Sequence, residues 1–246
     1  MNKKIIFILL LIAIVLLSTG CSAEDLKKPI DPNNGFWDKY FVYPISWTLD
    51  FFAGIFLKNY GISIIITTIL IRLLVLPLMI TQIKSTRGMQ KLQPEITKLR
   101  EEYKDDKTKM NEEYMKLLQK NNVNPLGGCL PIMVQMVVLI ALYHAIIRNT
   151  HIAESTFLWL ELGVPDPLYI LPVLAAIATY FQTKSTKMVA ATPQAATQQK
   201  LLLYFMPLMI LFIGASLPSA LALYWVVGNT FGIVQNLVVY KDKPKT

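Results

Sequence analysis

The chain has 246 residues, of which 54% are hydrophobic and 16% charged, and its net charge is +8. It is too apolar for an ordinary soluble domain. The positive charge gathers beside apolar segments rather than along a soluble face, which argues for membrane topology and against direct nucleic-acid binding.

Asn2, Lys3 and Lys4 precede the apolar run Ile5 to Leu17, the pattern of a secretory signal over residues 1–20 that is removed from the mature protein. The segment closes on Leu17-Ser18-Thr19-Gly20-Cys21, which resembles a bacterial lipoprotein cleavage site with its leucine displaced by one place. On that reading Cys21 receives a diacylglycerol and becomes the new N-terminus; an uncleaved signal anchor is the alternative. Cys21 and Cys129 are separated by an expected membrane crossing, so no disulfide is expected between them.

Residues 21–60 form an extracytoplasmic segment. From Phe36 to Phe56 it is dense in aromatics yet carries Asp38, Lys39 and Asp50, a mixture that predicts an amphipathic helix in the outer interface, broken or bent at Pro44. Gly61 to Ile83 is the first mature span. Residues 84–128 follow as a basic loop, in which Met89, Leu92, Ile96, Leu99 and Tyr103 recur at steps of three and four, and Met110, Tyr114 and Leu117 continue the pattern after Lys104-Asp105-Asp106-Lys107. This predicts an antiparallel helical hairpin with a kink or restart at Pro94.

Cys129 to Ile147 is the second span, 148–167 an outer loop, and Leu168 to Thr183 a short third span. After a loop over 184–200, no Lys, Arg, Asp or Glu occurs from Leu201 to Tyr240, about twice the ~20 residues one spanning helix needs. Gly214-Ala215-Ser216-Leu217-Pro218-Ser219 divides this run into spans 201–216 and 217–240, leaving the tail 241–246. The 84–128 loop holds ten basic residues whereas Asn149 to Leu168 has none, which places that loop, the 184–200 loop and the tail in the cytoplasm.

Arg72 lies eleven residues from either end of its span, or ~16 Å at ~1.5 Å per residue, near the bilayer midplane. An arginine there costs roughly 2.5–3.5 kcal/mol on insertion scales, so it is expected to face a bundle interior or a wet cavity. Thr68 shares its face one turn earlier. Gln135, Thr179, Gln182 and the stripe Trp225, Asn229 and Asn236 are further polar or amphipathic candidates for lining a hydrated groove; each taken alone also suits interhelical hydrogen bonding. No metal cluster, phosphate loop or nucleophile set is evident, and His144 and His151 stand alone, so neither cofactor nor enzymatic role is expected.

Three segments stand out together: Asn59-Tyr60-Gly61-Ile62-Ser63-Ile64 leading to Ile71-Arg72, Asn124-Pro125-Leu126-Gly127-Gly128-Cys129-Leu130-Pro131 leading to Gln135-Met136, and Leu217-Pro218-Ser219-Ala220-Leu221-Ala222-Leu223-Tyr224-Trp225. In this combination they resemble the YidC family of Oxa-type membrane protein insertases. The match covers about Trp37 to Tyr240 in order. Val137 stands where many relatives have proline, and the large periplasmic domain of Gram-negative members is missing, so the chain is similar to Gram-positive, lipoprotein-type members.

The resemblance implies an all-α integral membrane fold: five transmembrane helices around a hydrophilic groove, a cytoplasmic helical hairpin and an outer interfacial helix. The groove is open to cytoplasm and lipid and closed toward the outside. Arg72 would draw acidic or polar segments of a nascent membrane protein into it without ATP hydrolysis, with Thr68, Gln135, Gln182, Tyr224, Trp225 and Asn229 as lining. Nascent membrane proteins and the lipid bilayer are the implied partners, a Sec translocon, ribosome and targeting factors are candidates, and the expected working unit is a monomer in the bacterial cell membrane. A small anion transporter or channel is the alternative, since a lone intramembrane arginine also suits an anion site.

Overall fold

A computed structural model describes residues 28–33, 35–123, 130–186 and 193–241. The signal segment with Cys21, the Asn124 to Cys129 part of the second motif, and residues 242–246 of the tail lie outside the described residues.

The described chain is mostly helical. Gly35–Trp37 opens a helical run that widens to a π-helical segment at Asp38–Val42 and continues as α1, Tyr43–Ile55. Pro44 falls at the start of α1 and has no N–H to return to the preceding turn, so the run changes register there rather than ending. Ser46, Leu49 and Ala53 face inward, while Tyr43, Trp47, Phe51 and Ile55 form an exposed, largely aromatic stripe at four-residue spacing.

Helix α2, Tyr60–Lys91, starts where the side chain of Asn59 accepts a hydrogen bond from the Ile62 N–H at 3.0 Å. Its apolar stretch was expected to end at Ile83, but the helix continues to Lys91, because between Lys84 and Lys91 only Gly88 disfavours it and a single glycine costs only ~1 kcal/mol. Gly88 has a packing reason: a Cβ there would stand 2.7 Å from Cγ2 of Val123, which returns from the hairpin.

The hairpin itself is α3, Gln93–Glu102, and α4, Lys107–Lys120. Pro94 sits in the first turn of α3, where a missing N–H is harmless, and Asp106 caps α4 by accepting from Lys109 N–H at 2.9 Å. Leu92, Ile96 and Leu118 are its buried centre, with Met89, Tyr114, Met115, Leu117 and Val123 around them. This differs from the predicted seam, in which Leu118 and Met115 had no place. Helix α3 stops at Glu102, which leaves Leu99 and Tyr103 half-buried near the open end, and contact closes instead toward the base at Met89.

Helix α5, Leu130–Arg148, leads through α6, Thr150–Ala153, to a two-stranded hairpin of β1, Thr156–Phe157, and β2, Leu160–Glu161. Thr156 pairs with Glu161 and Phe157 with Leu160. Asp166 then accepts hydrogen bonds from the backbone N–H groups of Leu168 (3.0 Å) and Leu171 (2.8 Å), starting α7, Ile170–Ser185, two residues after its expected apolar limit. Helices α8, Pro193–Ser216, and α9, Ser219–Lys241, are divided at Leu217-Pro218. By length and composition α2, the Gln199–Ser216 part of α8 and the Ser219–Val239 part of α9 are each able to cross a membrane; Val134–Arg148 in α5 is a shorter apolar helix.

Helix α9 is the hub, packed along α7 and α2. Helix α8 lies mainly on α7, and α2 also packs on α1. Helix α5 packs on α1 and the π-helical segment and meets α2 and α9 more sparingly. One contiguous core draws on Leu49 from α1, Ile64 from α2, Leu142 and Ile146 from α5, Leu162 from the loop, and Leu171 and Ala175 from α7. In it Ala220 to Trp225 are six consecutive buried residues, so the first turns of α9 are covered on every face.

Candidate functional site

At the edge of that core the middle of the bundle turns polar. Arg72 is only 7% exposed, whereas Leu73 and Leu74 beside it are bare, Leu74 at 78%. This inverts the pattern of a water-soluble helix and is what a lipid-facing exterior around a polar interior requires. The guanidinium lies against α9 where Gly228 has no side chain: a Cβ on Gly228 would stand 2.8 Å from Nη2, 3.3 Å from Nε and 3.4 Å from Cζ. No ion pair to Arg72 exists among the described residues. The guanidinium is held by close packing on the α9 backbone, with Tyr224 of the same helix near it.

Tyr224 joins a third helix to the site. Its hydroxyl accepts a hydrogen bond from Nε2 of Gln135, on α5, at 2.6 Å. Gln135, Tyr224 and Arg72 therefore form a polar row reaching from α5 across α9 to α2. One turn beyond, Asn229 Nδ2 donates to Thr179 Oγ1 of α7 at 2.7 Å, and a Cβ on Gly232 would stand 2.6 Å from Nε2 of Gln182. Asn236 Nδ2 donates to Ser185 Oγ at 2.8 Å. Tyr224, Gly228, Asn229, Gly232 and Asn236 recur at helical spacing, so one stripe of α9 meets polar side chains from three neighbours.

The sequence candidates are thus not equivalent. Arg72, Tyr224 and Gln135 converge. Gln182 and Asn229 sit one turn further along at the α7–α9 seam. Thr68 is buried on the Arg72 face, but its hydroxyl donates to the Ile64 carbonyl of its own helix at 2.6 Å. Trp225 is buried within the core cluster beside Tyr224. Gly228 was not singled out in the sequence, because a glycine inside an apolar run carries no sign of what will rest on it.

A second polar assembly, at the end of the bundle that holds the start of α2, was not foreseen either. Arg148 at the end of α5 grips Asp38 through two bonds, Nη1 to Oδ1 at 2.7 Å and Nη2 to Oδ2 at 2.5 Å. It also donates to the carbonyls of Lys28 at 2.9 Å and Pro29 at 2.8 Å. Next to it Asn149 Nδ2 donates to Asp50 Oδ1 at 3.0 Å and to Ser46 Oγ at 3.1 Å, and the Tyr60 hydroxyl reaches the same Asp50 oxygen at 2.8 Å. Asp38 and Asp50, read from sequence as interfacial charges, bind α1 and its π-helical lead to α5 and α2. The available signal was Arg148 itself, a basic residue at the end of an apolar run opposite the basic 84–128 loop.

At the opposite end of α2, the Arg87 guanidinium donates to the Val239 carbonyl near the end of α9, tying the two helices below the polar row. Among the described residues no group of three or more His, Cys, Asp or Glu side chains is placed to hold a metal ion.

Comparison with known proteins places this architecture. Residues 51–246 match the family described as 60Kd inner membrane protein. The chain is 49% identical over 244 residues to the membrane protein insertase YidC 2 of Bacillus anthracis, covering 97% of this chain and 94% of that one. It is 48% identical over 244 residues to the membrane protein insertase MisCA of Bacillus subtilis, covering 97% and 92%. A crystal structure described as an active YidC insertase with its first transmembrane domain resolved superposes with a TM-score of 0.63 at 28% identity, covering 85% of this chain and 48% of that longer one.

Proposed function

Since the chain belongs to the 60Kd inner membrane protein family, whose relatives include the YidC and MisCA insertases, we propose that it inserts integral membrane proteins into the cell membrane and assists their folding. In this reading α2, α5, α7, α8 and α9 are the five spans, the α3–α4 hairpin is cytoplasmic and α1 lies at the outer interface. The mature N-terminus is outside, carrying a lipid on Cys21, and the C-terminus is inside.

The observation that carries the mechanism is the burial of Arg72 beside bare leucines, without an ion-pair partner among the described residues. A cation so placed attracts an acidic or polar segment of an entering chain partway into the bilayer. The core formed by Leu142, Ile146, Leu162 and Ala220 to Leu223 closes the path toward the outside. Hydrophobic partition of the adjoining segment then completes transfer, aided by a membrane potential of roughly 2.3 kcal/mol per charge per 100 mV. Gln135, Tyr224, Asn229 and Gln182 line the groove, and the hairpin captures substrate or contacts targeting factors.

The test is insertion into proteoliposomes of a single-span substrate with a short acidic outer tail, scored by protease protection. Wild type inserts it, Arg72→Lys retains part of the activity and Arg72→Ala loses it. Equal insertion by wild type and Arg72→Ala removes the arginine from the mechanism. Arg72-dependent solute flux in the absence of insertion would instead indicate a transporter.

A further inference from the structure

Among the described residues five non-glycine positions have left-handed φ, and three of these are large, exposed, apolar or aromatic side chains. They are Leu57 (φ 53°, 96% exposed), Leu158 (φ 56°, 75%) and Tyr169 (φ 55°, 56%). All three belong to the end of the bundle where α2 begins. Leu57 lies in the turn before α2. Leu158 is at the tip of the β1–β2 hairpin, whose Phe157 ring covers Gly61 so closely that a Cβ there would stand 2.0 Å from its Cγ. Tyr169 is the residue before α7, whose Leu171 joins the core with Tyr60 and Ile64.

A turn in water takes Gly, Asn or Asp at such positions, because a Cβ is disfavoured there and a short polar side chain is solvated. Leu and Tyr contradict both preferences at once, and a costly backbone state is retained where the surroundings favour the side chain it presents. Exposed Trp159, Val164 and Leu168 extend the same surface. The Trp159 indole N–H is already used, donating to Asp166 Oδ1 at 3.2 Å, so its ring makes no further demand for water. Exposed apolar residues continue along the chain from Leu168, Tyr169 and Ile170 to Val173, Leu174 and Ile177 of α7. No Lys or Arg occurs between Asn149 and Leu168.

We propose that the β1–β2 tip and the turn at Tyr169 form an apolar lip immersed in the outer leaflet at the boundary of headgroups and acyl chains, with Leu57 inserted beside it. Continuity with the lipid-facing side of α7 selects lipid as the occupant, and Trp and Tyr suit that depth because each pairs an apolar ring with one polar atom. The inference rests on the membrane-spanning placement of α7 and is independent of Arg72. Its failure would leave the insertase reading intact, and the converse also holds.

The experiment is tryptophan quenching in full-length protein reconstituted into phosphatidylglycerol–phosphatidylethanolamine vesicles, with the contribution of Trp159 taken as the difference between wild type and Trp159→Phe. That contribution is expected to be quenched by lipids brominated near the headgroup, less by lipids brominated at the chain ends, and to be shielded from aqueous iodide. Quenching by iodide with none by brominated lipid overturns the proposal, as does protection from both, which would mean a protein-covered site. Leu158→Asn, a residue suited to the left-handed turn, should keep the melting temperature in detergent and shift Trp159 toward iodide. An unchanged quenching profile in that variant also counts against the lip.

Discussion

A methyl group added to Gly228 of α9 would stand 2.8 Å from Nη2 of Arg72 on α2, so the buried guanidinium lies directly on the neighbouring helix backbone. The obstructed atoms are the far end of a flexible side chain, which makes the consequence of filling the space a displacement of charge rather than a collapse of the bundle.

Gly228→Ala is therefore expected to fold, since alanine is the better helix former, while forcing Arg72 out of its preferred rotamer at a cost of ~1 kcal/mol, or about fivefold in rate. Insertion of an acidic-tailed substrate should fall by about that factor, and a neutral-tailed one should be little affected. Equal loss for both substrates in the protease-protection assay would show that Gly228 serves packing alone. Gly232→Ala, which meets Gln182 instead, should have the smaller effect of the two.

The Gln135–Tyr224 hydrogen bond at 2.6 Å joins α5 to α9. Tyr224→Phe and Gln135→Leu should each lower stability by about 0.6–2 kcal/mol, and the double variant should cost less than their sum. Additive shifts in detergent unfolding curves would mean that the two side chains do not interact in solution.

Arg148 and Asp38 form an ion pair whose side chains are 3% and 6% exposed. Removing one partner of such a pair leaves a buried charge and costs about 3–5 kcal/mol. Arg148→Ala or Asp38→Asn should thus lower the melting temperature sharply. Arg148→Lys should recover little of it, because an ammonium cannot make the two-pronged bond and reach both carbonyls as well. Full thermal stability of Arg148→Lys would show that charge alone suffices.

In the hairpin, Leu118→Ala opens the centre formed with Leu92 and Ile96 and should cost about 2–5 kcal/mol locally. Hydrogen exchange should rise across α3 and α4 while α2 and α9 stay protected. Deleting Lys98 to Leu118 should impair insertion without unfolding the membrane bundle; unimpaired insertion would reduce the hairpin to a connector.

The membrane character, the helical class and the insertase family were legible in the sequence because their signals are local. They are the length of an apolar run, a proline without an N–H, a charge in the middle of hydrocarbon and three short motifs. Arg72 stood out for the same reason, since its cost in a bilayer depends on its depth and not on its neighbours. Its cradle was legible only in part: Gln135 and Tyr224 came as groove lining through the resemblance, but Gly228 is silent until another helix is laid across it, and the hydrogen bond between Tyr224 and Gln135 joins residues 89 apart in the chain. The same holds for Asp38 and Arg148, 110 residues apart. As interfacial charges they were plausible in isolation, but their burial as a clamp depends on how α1 and α5 meet. Composition and spacing determined which segments become helices and which charge stands in the middle of a span. Tertiary structure alone decided what that charge rests on, because close packing and hydrogen bonding act between side chains that only folding brings within reach.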